Sequence, residues 1–203
     1  MANIRTKSLT EEQYEMIIET MRKGFLDCRP NNKIATVLVL EANLGLRISD
    51  IVGCVKYDSD GKRVIKDGLK QSDIIQDGDR YRLDIVEQKT HKKREFTIPV
   101  PLYNYIKQYC VDNEIKSNEV IFPLSERAVQ KHLKRVCDYL GIEGISTHSF
   151  RKFYATRIYV KNNYNIVLVQ RLLQHSTPAT TQRYIGIGPE ELEKAIVNNL
   201  DLR

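Results

Sequence analysis

Six polar side chains carry most of the chemistry this sequence offers, and they fall in five short segments. GLRISD, Gly45 to Asp50, places Arg47 just past an apolar run with a carboxylate three residues later, a spacing that suggests a guanidinium held in place. Lys89 lies in EQKTHKKREF between two strand-like runs. A basic tip of this kind is either a solvated loop or a lysine laid into a nucleic-acid groove, with Lys92, Lys93 and Arg94 on phosphates. In HSFR, His148 and Arg151 are three residues apart, so on a helix an imidazole and a guanidinium share a face and can point at one substrate group. His175 ends the apolar stretch LLQHS, where a histidine commonly interacts with a helix C-terminus. Tyr184 is one of eleven tyrosines, most of which pack through the ring and keep the hydroxyl at the surface. Taken singly, each segment has an ordinary structural reading.

The elements that must position these residues are mostly helices. Either hydroxyl of SLTEE, Ser8 or Thr10, is a candidate cap for a helix over Glu11 to Phe25, with Tyr14, Ile17, Ile18 and Met21 at helical spacing. Asn32 to Leu44 is almost wholly apolar after Lys33 and reads as a buried helix, and Ile48 to Val55 as a short third one. From Lys56 to Val100 the turn signals DSDGK, KDG and QDGD separate short alternating runs. YRLDIVEQ and REFTIPV are the clearest strands, joined by the basic loop KTHKK. Helices return at Leu102 to Val111, Ser125 to Leu140, Thr147 to Val160, Ile166 to Gln174, Thr180 to Tyr184 and Pro189 to Leu200. The pattern implies one α+β domain, mostly α-helical, with a small antiparallel β-sheet inserted between helices.

Composition narrows the classes. The chain has 203 residues, 41% of them hydrophobic, enough for one substantial core. A net charge of +6 permits phosphate neutralisation without requiring it. Cys28, Cys54, Cys110 and Cys137 form no CxxC clip and have no histidine pair nearby, so buried free thiols are expected rather than a metal site or disulfide framework. No apolar run reaches the length of a membrane span, and the N-terminus MANIRTKSLTEEQ is too polar for a signal peptide, so a soluble, cytoplasmic protein is expected.

The order of the segments changes the reading: arginine, lysine, His-x-x-Arg, histidine, tyrosine, with the last two nine residues apart. GLRISD, STHSFRKFYAT and LLQHSTPATTQRY resemble the three signature boxes of the tyrosine recombinases, the phage-integrase family, at the family's usual separations. The similarity runs from about Leu9 to Tyr184, and Lys89 sits where the family keeps a hairpin lysine. Three positions depart from the pattern. Gln174 replaces the usual glycine before the second histidine, Lys152 stands where a histidine is frequent, and Asp50 replaces a more common glutamate.

The resemblance implies the catalytic-domain fold of that family and a site-specific recombinase or integrase that breaks and rejoins DNA through a 3′-phosphotyrosyl intermediate. No cofactor is implied, because bond energy is stored in the covalent link. It implies Tyr184 as nucleophile, Arg47 and Arg151 as bidentate phosphate forks, His148 as base, Lys89 as the acid for the leaving 5′-oxygen, and His175 as a phosphate ligand. A type IB topoisomerase-like enzyme shares this chemistry but usually lacks a histidine equivalent to His148. A non-catalytic DNA-binding regulator would have no reason to hold these groups in this order.

The implied partners are double-stranded DNA and further copies of the chain, in a synaptic tetramer on DNA. On this reading the chain begins at the catalytic domain (core about 9–185), and the N-terminal core-binding domain that most members carry is absent from it. PEELEKAIVNNL, Pro189 to Leu200, carries Leu192, Ala195, Ile196 and Leu200 as one apolar stripe. That stripe must dock on its own domain or, as the resemblance implies, on a neighbouring protomer, with Gly186 to Gly188 as hinge.

Overall fold

The computed structural model describes residues 6–57, 59–61 and 63–185, with the backbone alone at 54–57, 63–66 and 183. The expected C-terminal helix and its glycine hinge lie outside the described residues. Helix α1, Glu11–Lys23, starts at Thr10, whose hydroxyl accepts from the Gln13 amide while the Gln13 side chain accepts from the Thr10 N–H. Of the two candidate caps, Thr10 is the one used. Acids in the first turn and Arg22 and Lys23 in the last complement the helix dipole.

Helix α2, Asn32–Leu44, is capped by Asn31 and buries nine of its thirteen residues, as its nearly continuous apolar character requires. It ends at Gly45, whose φ of 58° is left-handed. A Cβ there would also fall 2.3 Å from the Tyr154 ring, so both backbone and packing demand glycine. Helix α3, Ile48–Ile51, is shorter than the expected span to Val55. Val52 forms a bridge with Phe122 and the chain turns directly into strand β1, Cys54–Tyr57, so long-range pairing overrides a weak local helix signal.

Strand β1 pairs antiparallel with β2, Arg63–Lys66, Cys54 lying opposite Lys66. A second sheet has the order β3, Ile74–Asp77; β4, Arg80–Val86; and β5, Lys93–Ile98, all antiparallel. The two clearest expected strands are therefore β4 and β5, paired with Ile85 opposite Arg94 and Val86 opposite Lys93. Tyr81 of β4 stacks on Tyr103 of helix α4, Val100–Asp112, with centroids 3.6 Å apart. That helix begins two residues earlier than expected because Pro101 is tolerated in a first turn.

Helices α5, Glu126–Leu140; α6, Thr147–Lys161; α7, Ile166–Leu173; and α8, Pro178–Ile185, complete the described elements. The main core gathers around α2, which packs on α1, α3 and α6. A smaller cluster of Ala155, Val169, Leu173 and Ile185 joins α6, α7 and α8. Cys28, Cys110 and Cys137 are buried free thiols, as expected, whereas the Cys54 side chain is not described. Among the described residues no helix is long and apolar enough to cross a membrane.

Candidate active site

Arg47 occupies the extended turn between α2 and α3, as the N-cap of α3. Its Nη1 donates to Glu87 Oε2 at 2.5 Å, and 18% of its side chain remains exposed. The guanidinium is held, as GLRISD suggests, but Asp50 does not hold it by a hydrogen bond. Asp50 Oδ1 instead accepts the Gln88 amide at 2.9 Å, tying α3 to the loop after β4. Burial raises the Asp50 carboxyl above its ordinary range even with that bond.

Lys89 is exposed in the turn between β4 and β5, and Lys92 and Lys93 are exposed beside it. Lys93 also pairs with Asp84 at 3.1 Å and with Glu95. Arg94 corrects the expectation that all three basic residues lie on DNA phosphates. Its parity along β5 matches that of inward-facing Ile98, and it is 2% exposed. Its Nη1 donates to Glu87 Oε1 at 3.1 Å and to the Gly45 carbonyl at 3.2 Å, while Nη2 donates to the Leu44 carbonyl at 3.3 Å. Burial and then the charge of Arg151 push its guanidinium down to about 10, against the pull of Glu87.

Helix α6 supplies the next pair. Ser146 and Ser149 close its first turn by reciprocal hydrogen bonds, which sets His148 on the open side of that turn. Arg151, one turn on, is buried, with Nη1 on the Gly45 carbonyl at 2.5 Å and Nη2 on the Leu173 carbonyl at 3.1 Å. Arg94 and Arg151 therefore meet at one acceptor. Partial desolvation pushes the His148 imidazole below its ordinary value, helped by the charges of Arg151, Lys89, Arg47 and Lys152.

The turn from α7 into α8 delivers the last two groups. Gln174 caps α7 in the left-handed region, φ 55° and ψ 36°, with its N–H on the carbonyls of Arg171 and Gln170. That conformation accounts for the family's glycine at this position, and a side chain there costs roughly 1–2 kcal/mol. The Gln174 amide offsets part of this by donating to the Lys93 carbonyl at 3.0 Å, joining the turn to β5. His175 Nδ1 lies 3.0 Å from Thr181 Oγ1 on α8. Burial, followed by the charges of Arg151 and Arg47, pushes this imidazole down to about 4.

Tyr184, on α8, packs its ring on His175 and on the small cluster beneath, and its hydroxyl lies in the electrostatic field of Arg151. Lys152 Nζ stands 5.8 Å from the centre of the same ring. Burial raises the phenol and the Arg151 charge opposes that rise. Charge interactions thus link Arg47, Lys89, His148, Arg151, His175 and Tyr184 in one field, to which Arg94 also contributes from its buried position on β5.

Residues 7–191 match the model of the phage integrase family. The chain belongs to that family. It is 31% identical over 172 residues to the probable integrase/recombinase YoeC of Bacillus subtilis (strain 168), covering 81% of this chain and 83% of that protein. It is 28% identical to the tyrosine recombinase XerA of Pyrococcus furiosus, over 94% of this chain and 60% of that protein. Among solved structures, the catalytic domain of bacteriophage HP1 integrase superposes with a TM-score of 0.60 at 19% identity, covering 96% of each chain. The XerH site-specific recombinase bound to its difH substrate gives 0.63 at 19% identity, over 94% of this chain and 53% of that one. The fold is therefore the tyrosine-recombinase catalytic domain, and the chain spans about three-fifths of XerA and about half of XerH.

Two acids in this integrase-family chain were not singled out by sequence reasoning. Glu87 is fully buried and bridges Arg47, Arg94 and Thr90. A signal for it exists: the two-residue period from Leu83 through Ile85 carries Glu87 inward, as it does Arg94 on the facing strand. Glu41, one turn before Gly45 on α2, is buried with both carboxyl oxygens unpartnered. Its signal is its setting, a lone acid inside the almost wholly apolar run read as a buried helix.

Proposed function

We propose that this protein is a site-specific DNA recombinase or integrase acting through a 3′-phosphotyrosyl intermediate, with Arg47, Lys89, His148, Arg151, His175 and Tyr184 as its catalytic residues. The observation that carries this reading is the packing of the Tyr184 ring on His175, centroids 5.0 Å apart, within the charge field of the buried Arg151 guanidinium that His148, His175 and Tyr184 all feel together with Arg47. A phenol beside a fixed fork is a nucleophile already next to the group that would bind its target phosphate.

In the first step the Tyr184 oxygen attacks phosphorus, the bond from phosphorus to the 5′-oxygen breaks, and a 3′-phosphotyrosyl link and a 5′-hydroxyl result. His148 takes the phenol proton. Its depressed pKa keeps it neutral near pH 7 and so able to accept. Lys89 protonates the departing 5′-oxygen from the β4–β5 turn. Arg47 and Arg151 stabilise charge on the non-bridging oxygens, work that suits planar forks, one held by the Glu87 carboxylate and the other by the Gly45 and Leu173 carbonyls. His175 is neutral at this pH, and in the tautomer whose Nδ1 accepts from the Thr181 hydroxyl 3.0 Å away, Nε2 carries the proton and donates to the phosphate. Attack by a 5′-hydroxyl of a second strand reverses the step and restores Tyr184.

Lys92 and Lys93 fit phosphates flanking the cut. The partners of this reading are duplex DNA and further copies of the chain in a tetrameric synapse, at a cytoplasmic site of action in a bacterium, phage or mobile element. The test uses a pool of nicked suicide duplexes with randomised sequence around the nick. After cleavage the short fragment between the cut and the nick, which carries the new 5′-hydroxyl, diffuses away and traps the adduct. A covalent protein–DNA species on denaturing gels, resistant to SDS and released by protease, supports the reading, and its absence across the pool overturns it.

A further inference from the structure

We infer that Glu87 is a positioning residue that aims Arg47 at the scissile phosphate and fastens the Lys89 turn to the same anchor. This rests on the recombinase reading above and deepens it. Glu87 follows β4 and is 0% exposed. Its Oε2 accepts from Arg47 Nη1 at 2.5 Å and from Thr90 Oγ1 at 2.7 Å, and its Oε1 accepts from Arg94 Nη1 at 3.1 Å. Its backbone N–H donates to the Lys92 carbonyl, and its own carbonyl accepts the His91 amide, so the turn carrying Lys89 closes on this residue.

The electrostatics single it out among the buried acids. Burial raises Glu41 and Asp50 toward the neutral form. Burial also acts to raise Glu87, but the hydrogen bonds from Thr90 and Arg47 and the charges of Arg47 and Arg94 outweigh it and hold the carboxyl below its ordinary value. Glu87 is thus the one of these three whose ionised form its surroundings favour, placed against two guanidiniums whose neighbour Arg151 adds a third charge. Without it Arg47 would sit in a field of like charge and swing toward solvent through its exposed edge. Among the described residues Arg47 spends one of its five N–H donors on Glu87, which leaves others for an incoming phosphate. Arg94 is the other end of the device. Wedged on the carbonyls of Leu44 and Gly45, it fixes where the carboxylate sits, and Gly45 is also the acceptor of Arg151. One buried anion therefore sets the spacing of Arg47 relative to Arg151.

The experiment measures adduct formation by the full chain on a suicide duplex recovered with the wild-type protein. The scissile phosphate is either the natural diester or a methylphosphonate, in which a methyl group replaces one charged oxygen. On the diester, Glu87→Gln should cleave roughly 10- to 100-fold more slowly, the scale of a misplaced catalytic group, with DNA affinity within about threefold of wild type. On the methylphosphonate, which has little charge for Arg47 to meet, the deficit should shrink to within about threefold. Equal deficits on both substrates, or wild-type cleavage of the diester, would overturn the inference.

Glu87→Gln leaves Arg94 as a lone buried cation, so Glu87→Gln/Arg94→Gln, which removes both charges, covers failure of the single variant to fold. The double variant should remain slow on the diester and recover on the methylphosphonate. Recovery on the diester would mean that Glu87 only neutralises Arg94, which also overturns the inference. If the wild-type chain forms no adduct on any duplex, the recombinase reading fails and takes this inference with it. Adducts from wild type and Glu87→Gln at equal rates overturn the positioning role alone.

Discussion

The imidazole of His175 and the phenol ring of Tyr184 meet edge to face, their centroids 5.0 Å apart and their planes at 73°. The contact is made by the rings, so packing fixes the Tyr184 ring without using its hydroxyl. Tyr184→Phe should keep the packing and lose only the nucleophile. Its melting temperature should stay close to that of wild type and its DNA affinity should be unchanged, with no covalent adduct on denaturing gels. Adducts persisting in this variant would assign the reaction to another tyrosine.

The two forks differ in what holds them, and so their variants should differ in stability. Arg47→Lys and Arg151→Lys should each slow cleavage on the order of 10²- to 10³-fold, the scale of a lost oxyanion donor, because a point charge cannot replace a planar fork. Arg151 is 2% exposed and satisfies two backbone carbonyls. Arg151→Ala should therefore also destabilise the fold, by about 1–3 kcal/mol for the Leu173 carbonyl left without this donor, the Gly45 carbonyl keeping Arg94. Arg47→Ala, at a partly exposed side chain, should unfold at a lower denaturant concentration by a visibly smaller margin. Equal losses in denaturant midpoints would contradict the assigned burial.

The basic turn should divide by burial rather than by charge. Neutralising Lys92 and Lys93 together should reduce the salt dependence of DNA binding by up to roughly two units of slope, at about 0.9 per phosphate contact. Arg94→Gln should leave that slope nearly unchanged and lower stability instead, by about 3–5 kcal/mol for breaking a buried ion pair. Binding isotherms across a salt series, set beside thermal melts, separate the two effects. A slope that responds to Arg94 as strongly as to the lysines would return Arg94 to the DNA surface.

Glu41 makes a pH prediction with a definite sign. Burial raises its carboxyl well above the ordinary range although Arg151 pulls the other way, so the folded protein keeps a proton that the unfolded chain releases above about pH 4.3. Folding then takes up a proton in that window, and the Glu41 contribution to stability falls as pH rises toward the folded-state value. Glu41→Gln removes the linkage without emptying the site. Its melting temperature should gain on wild type between pH 5 and pH 8, and the gap should widen with pH. A gap that stays flat or narrows over that range would mean Glu41 is ionised in the folded protein.

Much of the fold is legible in local sequence because it is decided locally. The Thr10–Gln13 capping box, the apolar run of α2 ended by Gly45, and the alternation of β4 and β5 each specify an element within a few residues. The boundaries that moved are those where distant pairing competes with a weak local preference. At α3 the bridge from Val52 to Phe122 ends the helix early. At α4 and α8 prolines sit in the first turn, so each helix starts two residues before its expected position.

The motif order by itself determined which residue types are present and their family: two arginines, a lysine, two histidines and a tyrosine in the sequence of the three boxes. Only the tertiary structure decided what stands behind them. A run such as KKR looks uniformly basic, yet strand parity sends Arg94 inward, where a guanidinium is tolerated only with an anion and carbonyls to meet it. Those partners come from Gly45 and Leu44, about fifty positions away in the chain, and no local pattern records them. Likewise the carboxylate that grips Arg47 is Glu87, not Asp50 three residues on, because the pairing of β4 with β5 carries Glu87 under α2 while the short α3 turns Asp50 toward the Gln88 amide. Sequence spacing names neighbours along one element, whereas a buried charge takes its partner from whichever element the fold packs against it.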